Sequence, residues 1–517
     1  MKEGTDVTVY NFNLLVGYVS TGVDYAQAYR ARILRNVCAQ KYVFTEIPRF
    51  RELEYYTRLG IRADELLVLP FSFMKTPNLM PSLTFPEVRE RILPDTEGFR
   101  VTEEKNTRTF NHTENGQGII FRMTDEGYVH SVEYYVNSIL LRKDSYSDRL
   151  LTSQFMMVSR KENEKTVVPV SRRIYDEDGN TAVEMFYTSD GIIYELPDHS
   201  RYNTQELLER FLKERTFDSD DVFILDRKDP HLMVLLENKG DAKIVFVMHS
   251  RLVFEDYSDS HHWKGVSYEY TDLVRNAERI DALITSTEEQ AESIREWFGR
   301  QYGMNVRVSV VPVGGMEKLT FPTRPRKRHS LVSVSRLDHR KRIDLLIQAV
   351  AKARKTIPDL TLDIYGEGPK RGQYADLIEE YGAGDYITLK GYVQNFDGYP
   401  EYEGYISASL WETFGLTILE AMSAGLPVIG LDVPYGNRSF ICTGKNGFLV
   451  PFDKTWEDSV TVEHLSEAVM NLFSEDLEIF SLNSYGVAAK YTTDFIREQW
   501  ISLFREIGVN ISDCFAG

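Results

Sequence analysis

The chain has 517 residues, too many for one hydrophobic core, since domains usually hold about 100 to 200 residues. Its 42% hydrophobic and 12% aromatic content is that of a globular protein, and no stretch reaches the roughly 20 apolar residues of a membrane span. The formal net charge of −18 argues against nucleic-acid partners, which need a broad basic surface.

The N-terminus and the cysteines indicate the compartment. The first residues, MKEGTDVTVYNFN, mix both charge signs and lack the apolar core of a secretory signal. We therefore expect a cytoplasmic protein, with a peripheral position at the inner membrane surface as the alternative. The cysteines, at Cys38, Cys442 and Cys514, lack the paired spacing of a metal site or a disulfide framework, so we expect reduced thiols.

Two separated segments predict one doubly wound α/β domain. The first contains the strand VTVYNFNLLV, a turn at Gly22 and the helix VDYAQAYRARILRN. The second contains strand patterns at 223–229, 243–250, 281–287 and 306–315. We assign residues 1–46 and 216–322 to this N-terminal Rossmann-like domain.

The pattern between these segments is different. Alternating strands are separated by hairpin turn residues, Asp178-Gly179 and Asp190-Gly191. The interpretation is an antiparallel β-rich insertion at 47–215. Asp218-Ser219-Asp220, just after it, fits a DxD metal motif, but its polar surroundings before a strand favour a turn.

The last third alternates strands and amphipathic helices, which predicts a parallel sheet covered by helices. The strand patterns lie at 330–337, 360–366, 386–392, 404–409, 426–432 and 448–451. The helix at 341–355 places Ile343, Leu346, Ile347 and Val350 on one stripe. This C-terminal Rossmann-like domain spans 323–490, and we interpret the preceding basic run, 324–328, as a solvated linker.

The remaining segment, 491–517, predicts a C-terminal helix that crosses back toward the N-terminal domain. The helix covers 494–508, and its apolar side is expected to contain Phe495, Trp500, Leu503 and Phe504.

The segment YISASLWETFGLTILEA, from 405 to 421, carries the first group of candidate site residues. Gly415 permits a tight turn, and the amides from Phe414 to Thr417, including Leu416, open a helix whose N-terminus attracts a diphosphate. Glu420 lies one turn later on the same face, and Glu412 just before the loop. An isolated pair of glutamates would be unremarkable, but the glycine turn and the spacing favour a ligand site.

A second group supplies positive charge. Arg336 and Lys341 follow the strand SLVSVS at a strand-to-helix turn, where both can neutralise a diphosphate. An ordinary basic helix start is the alternative, although the helix dipole disfavours cations there.

SRLDHRK together with WETFGLTILEA resembles the motif of glycosyltransferase family 4. The resemblance implies a GT-B fold, two Rossmann-like domains facing a cleft, with the acceptor on the N-terminal side. It assigns Arg336 and Lys341 to the donor diphosphate, Glu420 to the ribose and Glu412 to the transferred sugar. It also places Gly366 and Gly368, the Lys390-Gly391-Tyr392 turn, Gly22 and the sugar-facing His249 around the donor.

Adding STGVDYAQAYRARILRN, the insertion and LDVPYGNRSFICTGKNGFLVP, the chain resembles a narrower group: bacterial accessory O-GlcNAc transferases that modify serine-rich-repeat or serine-aspartate-repeat adhesins. The resemblance implies metal-free, cofactor-free, retaining transfer from UDP-GlcNAc to Ser/Thr hydroxyls. Catalysis would rest on Glu412, His249, Arg336 and Lys341.

The same resemblance implies the partners: the UDP-sugar, the adhesin polypeptide, and either a related non-catalytic subunit or a homo-oligomer. Two alternatives stay open. One is a transferase acting on teichoic acid or polysaccharide, and the other is a non-catalytic substrate-binding subunit of a glycosyltransferase complex.

Overall fold

The computed structural model describes residues 7–13, 22–75, 78–161, 164–227, 230–253, 265–393 and 396–511. The residues just before Gly22 in the predicted glycine loop and Cys514 lie outside these ranges. The chain forms two compact units, Met1–Val245 together with Gly508–Gly517, and Phe246–Ile507. No helix of the described residues is long and apolar enough to cross a bilayer.

The first unit begins with parallel strands and their helices. The elements are β1 (Thr8–Asn13), α1 (Gly22–Leu34), β2 (Ala39–Phe44), α2 (Phe50–Arg58), β3 (Leu66–Val68) and α3 (Phe85–Ile92). β1 pairs in parallel with β2, and β2 with β3. β3 lies within the predicted insertion range and yet belongs to this parallel sheet, because its short apolar run LLV matches the buried strand beside it.

The predicted β-rich insertion is present as a ten-stranded antiparallel sheet in which each strand pairs with its neighbours in sequence. Its strands are β4 (Phe99–Glu104), β5 (Thr107–His112), β6 (Gln117–Met123), β7 (Val129–Val136), β8 (Ile139–Tyr146), β9 (Leu150–Lys161), β10 (Glu164–Tyr175), β11 (Thr181–Thr188), β12 (Gly191–Glu195) and β13 (Arg201–Asn203). Both predicted hairpins are confirmed, between β10 and β11 and between β11 and β12. Phe110, Phe121 and Val132 pack with Val88 of α3 in a core on one face.

After the insertion come α4 (Thr204–Lys213), β14 (Asp221–Leu225), α5 (Leu232–Asn238) and β15 (Lys243–Val247), within which the second unit starts. The next elements are α6 (Thr271–Arg275), β16 (Ala282–Thr285), α7 (Glu288–Tyr302) and β17 (Val308–Val310). The four predicted strand patterns in this region are thus confirmed, each shorter than the pattern. The sheet order is β17-β16-β15-β14-β1-β2-β3.

A buried polar network holds α1 in the first unit. Arg30 of α1 and Asp226, which follows β14, form an ion pair at 2.5 Å, and both side chains are at most 3% exposed. Gln27 donates to the same carboxylate at 2.9 Å and to Asn13 at 2.8 Å. Because buried charges require such partners, this network fixes the position of the helix against the carboxyl ends of β1 and β14.

The C-terminal sheet has six parallel strands in the order β20-β19-β18-β21-β22-β23. They are β18 (Ser330–Val334), β19 (Thr361–Tyr365), β20 (Ile387–Gly391), β21 (Gly404–Ser407), β22 (Val428–Leu431) and β23 (Gly447–Val450). The helices are α8 (Ile343–Ala353), α9 (Arg371–Glu380), α10 (Leu416–Ser423), α11 (Gly436–Phe440), α12 (Asp458–Leu472), α13 (Leu477–Ala488) and α14 (Thr493–Glu506). All six predicted strands are therefore confirmed.

The helix predicted at 341–355 is confirmed as α8, and its four stripe residues are at most 1% exposed. Each fully buried aliphatic side chain contributes about 1.5 to 3 kcal/mol through removal of apolar surface from water. The same stripe packs against Leu331, Leu362 and Ile406 of three neighbouring strands, so one core spans the middle of the sheet.

Two predictions about this region are wrong in detail. Phe495 is 46% exposed, and Ile496 takes its place in the buried face of α14 beside Trp500 and Phe504. The run 324–328 is not a wholly solvated linker, because the guanidinium of Arg326 donates to the carbonyls of Tyr402 at 2.7 Å and Ala424 at 2.6 Å. Burial lowers the pKa of Arg326, so this side chain is part of the packed structure.

Candidate functional site

The turn before α10 has the geometry expected of a ligand-binding loop. Gly415 has φ of 92°, a left-handed conformation that glycine adopts without strain, and it is the residue that caps the N-terminus of α10. Phe414, one residue earlier, is 3% exposed and anchors the turn in the core. The N–H groups of Leu416 and Thr417 in the first turn of a helix have no acceptor four residues back, so this end of α10 favours an anion.

Glu412 and Lys341 meet at this turn. Their carboxylate and ammonium groups form an ion pair, with side chains 16% and 26% exposed respectively. Lys341 Nζ also donates to Ser409 Oγ at 3.2 Å. The Glu412 carbonyl accepts from the amides of Tyr435 at 2.8 Å and Gly436 at 2.7 Å, so the backbone of Glu412 is held by the start of α11. The two predicted residues lie together, and Lys341 already has a negative partner.

Arg336 differs from Lys341 in its surroundings. It is exposed, and within the described ranges no carboxylate pairs with it. The neighbouring Arg340, in contrast, pairs with Asp338 at 2.9 Å. An uncompensated guanidinium beside the end of β18 is suited to bind a phosphate through two parallel N–H donors.

The backbone around Arg336 is in close contact with the predicted glycine loop. A Cβ on Gly366, whose φ is 140°, would lie 1.8 Å from the carbonyl oxygen of Ser335. A Cβ on Gly368 would lie 2.4 Å from the carbonyl oxygen of Leu337. The Gly366 amide donates to the Gly391 carbonyl at 2.8 Å. Only glycine fits at 366 and 368, and these contacts bring Arg336 and Gly391 to one edge of the sheet.

Tyr392, which follows Gly391, is 55% exposed at this edge. An exposed aromatic ring beside a glycine turn is suited to cover a nucleobase. Its predicted contact with the donor stays a prediction.

Glu420 lies one turn into α10, and its carboxylate accepts from the hydroxyl of Tyr399 at 3.0 Å. Desolvation raises the pKa of Glu420 to about 7, and the hydrogen bond from Tyr399 opposes that shift. Glu420 as a whole is exposed to solvent. The desolvation of its carboxyl group comes from the many protein atoms nearby and does not require full burial. Part of the population is therefore protonated near neutral pH.

The first turn of α10 is also joined to β18. Thr417 Oγ1 and the Tyr405 hydroxyl are 2.8 Å apart, and that hydroxyl donates to the Val334 carbonyl at 3.3 Å. The start of the helix is thus held close to the end of the strand that precedes Arg336.

His249 follows β15, as predicted, and is partly buried. Its carbonyl accepts from Thr413 Oγ1 at 2.8 Å, so its backbone lies against the residue that follows Glu412. Two residues later, Arg251 lies over the ring of Tyr435 at 5.8 Å. The histidine is therefore next to the glutamate loop within the second unit.

Gly22 is the first residue of α1 in the first unit, and a Cβ there would meet nothing within 4 Å. The local structure does not require glycine at this position. The proposed approach of Gly22 to a donor stays a prediction.

Sequence reasoning missed the hydrogen-bond partners of Glu420, Lys341 and Glu412. Tyr399 lies in the tyrosine-rich run FDGYPEYEGY, where no spacing rule distinguishes it from Tyr402 or Tyr405. Ser409 and Tyr435 contribute through a hydroxyl and a backbone amide, which carry no sequence pattern. A sequence feature that could have indicated Tyr435 is the tripeptide PYG within LDVPYGNRSF.

Comparison with known proteins identifies the regions that carry these features. Residues 317–472 match the family model described as glycosyl transferases group 1, and residues 100–198 match the GtfA extended beta-sheet domain. The first match contains every candidate residue from Arg336 to Glu420, and the second lies within the ten-stranded sheet.

Full-length relatives cover both regions. The UDP-N-acetylglucosamine–peptide N-acetylglucosaminyltransferase GtfA subunit of Streptococcus parasanguinis is 34% identical over 97% of this chain and 99% of its own length. The crystal structure of the pneumococcal O-GlcNAc transferase GtfA in complex with UDP and GlcNAc superposes with a TM-score of 0.88 at 29% identity, covering 98% and 99% of the two chains. A crystal structure of a GtfA/B complex matches with a TM-score of 0.85 at 33% identity, over 97% and 99%. The predicted GT-B-type α/β fold with a β-rich insertion is confirmed.

Proposed function

This chain belongs to the family of UDP-N-acetylglucosamine–peptide N-acetylglucosaminyltransferase GtfA subunits, and from that premise we propose that it transfers N-acetylglucosamine from UDP-GlcNAc to serine or threonine hydroxyls of a polypeptide. The observation that carries the proposal is the edge of the C-terminal sheet. It carries the exposed Arg336, the Lys341–Glu412 ion pair, the N-terminus of α10 with Glu420, and a glycine loop in which positions 366 and 368 leave no room for a side chain.

The roles follow from the chemistry of each group. Arg336 and the first amides of α10 bind the diphosphate, and Lys341 shares its charge between the diphosphate and Glu412. Glu420 accepts hydrogen bonds from ribose hydroxyls, Gly391 and Tyr392 border the base, and Glu412 accepts from a hydroxyl of the sugar.

We assign the chain to glycosyltransferase family 4 and propose retention of configuration. The bond between the anomeric carbon and the β-phosphate oxygen breaks, and the acceptor oxygen forms its bond to the same face of that carbon. The acceptor's proton passes to the leaving phosphate oxygen. Arg336, Lys341 and the helix amides stabilise the departing charge, so this scheme needs neither a resident metal nor a cofactor.

His249 completes the proposed catalytic group with Glu412, Arg336 and Lys341. Its backbone contact with Thr413 supports a place beside the sugar. We expect its ring to contact a sugar hydroxyl and to help orient the anomeric carbon.

We propose a serine-rich or serine-aspartate-rich adhesin as the acceptor, modified in the cytoplasm or at the inner membrane surface. The likeness to a chain from a GtfA/B complex supports a related partner subunit. The first unit, with its ten-stranded sheet, is the candidate for acceptor binding or assembly.

The decisive assay uses purified chain, UDP-GlcNAc and two acceptors, a serine-rich peptide and a polyol phosphate. We expect glycosylated peptide, detected by mass spectrometry, and an α-linkage by NMR. Transfer only to the polyol phosphate would support a teichoic-acid enzyme, and absence of UDP binding would support a non-catalytic subunit. A β-linkage would contradict retention, since the donor is α-linked.

A further inference from the structure

Among the described residues, one side chain donates a hydrogen bond to the Glu420 carboxylate. Tyr399, in the short 3-10 helix Tyr399–Glu401, is 3% exposed and directs its hydroxyl to Oε2 of Glu420 at 3.0 Å. Its ring packs edge-on against Phe396 at 4.7 Å. A tyrosine held by packing on all sides has its hydroxyl in a fixed place, so it can determine the orientation of a flexible glutamate side chain.

Among the described residues, the other side chains near Glu420 do not orient its carboxylate. Tyr405 is fully buried nearby, but its hydroxyl is used by Thr417 and the Val334 carbonyl. Within the described part of the chain, no lysine or arginine forms an ion pair with Glu420, and Glu412 faces Lys341 instead. The carboxylate therefore has a neutral donor at Oε2, and the described residues place no hydrogen-bond donor at Oε1.

We propose that Tyr399 is a positioning residue for nucleotide binding: its hydroxyl occupies Oε2 of Glu420 and leaves Oε1 directed to the ribose hydroxyls of the donor. An ionised carboxylate offers about four acceptor positions, so one bond to tyrosine leaves enough for a cis-diol. The inference rests on the proposed function, since it gives the ribose-binding glutamate the partner that orients it.

The first experiment compares UDP with 2′-deoxy-UDP by titration calorimetry at pH 8, where Glu420 is mostly ionised. We expect Tyr399→Phe, which keeps the ring and removes the donor, to weaken UDP binding about tenfold, because hydrogen bonds to charged groups are the strong ones. For 2′-deoxy-UDP we expect a loss of about twofold or less, because one ribose contact that the oriented carboxylate makes is already absent.

The chain offers a closely matched control. Tyr402 is also 3% exposed, follows the same 3-10 helix and donates to a carboxylate, Asp363, at 2.8 Å. Tyr402→Phe removes a comparable hydrogen bond from a different carboxylate. We expect it to leave the preference for UDP over 2′-deoxy-UDP unchanged, whatever it does to thermal stability.

The second readout is the pH dependence of UDP binding. Tyr399 favours the ionised form of Glu420, so its removal should raise the pKa of the carboxyl further. The midpoint at which UDP binding is lost on the acid side should move up by about one pH unit in Tyr399→Phe and stay in place in Tyr402→Phe.

The outcomes separate this inference from the function on which it rests. A wild-type chain that binds no UDP overturns the proposed function. A wild-type chain that prefers UDP to 2′-deoxy-UDP, with Tyr399→Phe behaving as wild type, overturns the positioning role alone. Equal losses for both nucleotides with an unmoved pH midpoint also overturn it, since they mean that Tyr399 acts only through folding.

Discussion

The ion pair between Lys341 and Glu412, at the loop before α10, allows UDP binding and sugar transfer to be tested separately. In the free protein the ammonium group is already compensated, so a diphosphate must share it with the glutamate. Substituting Glu412→Gln removes a negative charge near the diphosphate and releases Lys341. We therefore expect UDP binding to become tighter while sugar transfer becomes slower.

The magnitude follows from the exposure of the two side chains, 26% and 16%. Pairs on the surface contribute up to about 1 kcal/mol, whereas breaking a fully buried pair costs about 3 to 5 kcal/mol. For this partly exposed pair we take about 1 kcal/mol, which corresponds to roughly fivefold tighter UDP binding. The lost charged contact to the sugar, worth about 1.5 to 3 kcal/mol, should lower kcat by about 10- to 100-fold.

The assay combines calorimetric titration of UDP with initial rates of peptide glycosylation. Lys341→Met should bind UDP at least tenfold more weakly. The double variant should bind UDP more tightly than Lys341→Met, because the carboxylate that repels the diphosphate is then also absent, but more weakly than Glu412→Gln, because the ammonium is missing. Glu379→Gln, an exposed substitution on α9, is the control and should change neither quantity. UDP binding weakened tenfold in Glu412→Gln, or an unchanged transfer rate, would refute this account of the ion pair.

Four further results are expected. Gly366→Ala should destabilise the fold by several kcal/mol and abolish UDP binding, since its Cβ would meet the carbonyl oxygen of Ser335. The control is Gly372→Ala, in α9 with open space around it. In thermal unfolding this control should be neutral or stabilising by up to about 1 kcal/mol. Arg336→Ala should weaken UDP binding about 10- to 100-fold without lowering Tm, because this guanidinium is exposed; a wild-type Kd would misplace the diphosphate. Because the pKa of Glu420 is about 7, UDP binding should weaken as pH falls from 8 to 6 in the wild type but not in Glu420→Gln. A carboxyl group whose folded pKa lies above its unfolded value destabilises the fold only at pH values where it is ionised. Glu420→Gln should therefore raise the free energy of unfolding at pH 8, by about 1 kcal/mol after allowance for solvent screening, and leave it unchanged at pH 4. Equal effects at both pH values would contradict this.

Much of the C-terminal half could be predicted because its signals are local. The strand patterns and the stripe on α8 depend on residue spacing within a single element, and all of them are present in the structure. The turn at Gly415 follows equally from a few adjacent residues. Phe495 shows the limit of such patterns, since adjacent apolar residues in α14 left two possible faces and packing buried Ile496.

The partners of the site residues could not be predicted in this way. Glu412 and Lys341 are 71 residues apart, and Glu420 and Tyr399 belong to different elements. The linker interpretation of 324–328 is wrong at Arg326, whose acceptors are backbone carbonyls up to 98 residues away. Backbone acceptors have no sequence pattern, so only packing reveals them.

The amino-acid sequence by itself determined the alternation of strands and helices, the insertion of antiparallel strands, and the turn and helix start that lie between Glu412 and Glu420. Each of these depends on periodicity or turn chemistry within a short window. The tertiary structure decided which of these residues meet. Strand order is β20-β19-β18-β21-β22-β23, so β18 and β21, which are distant in sequence, lie side by side and bring Lys341 to Glu412. That order results from the packing of the whole sheet against its helices, which no local pattern encodes.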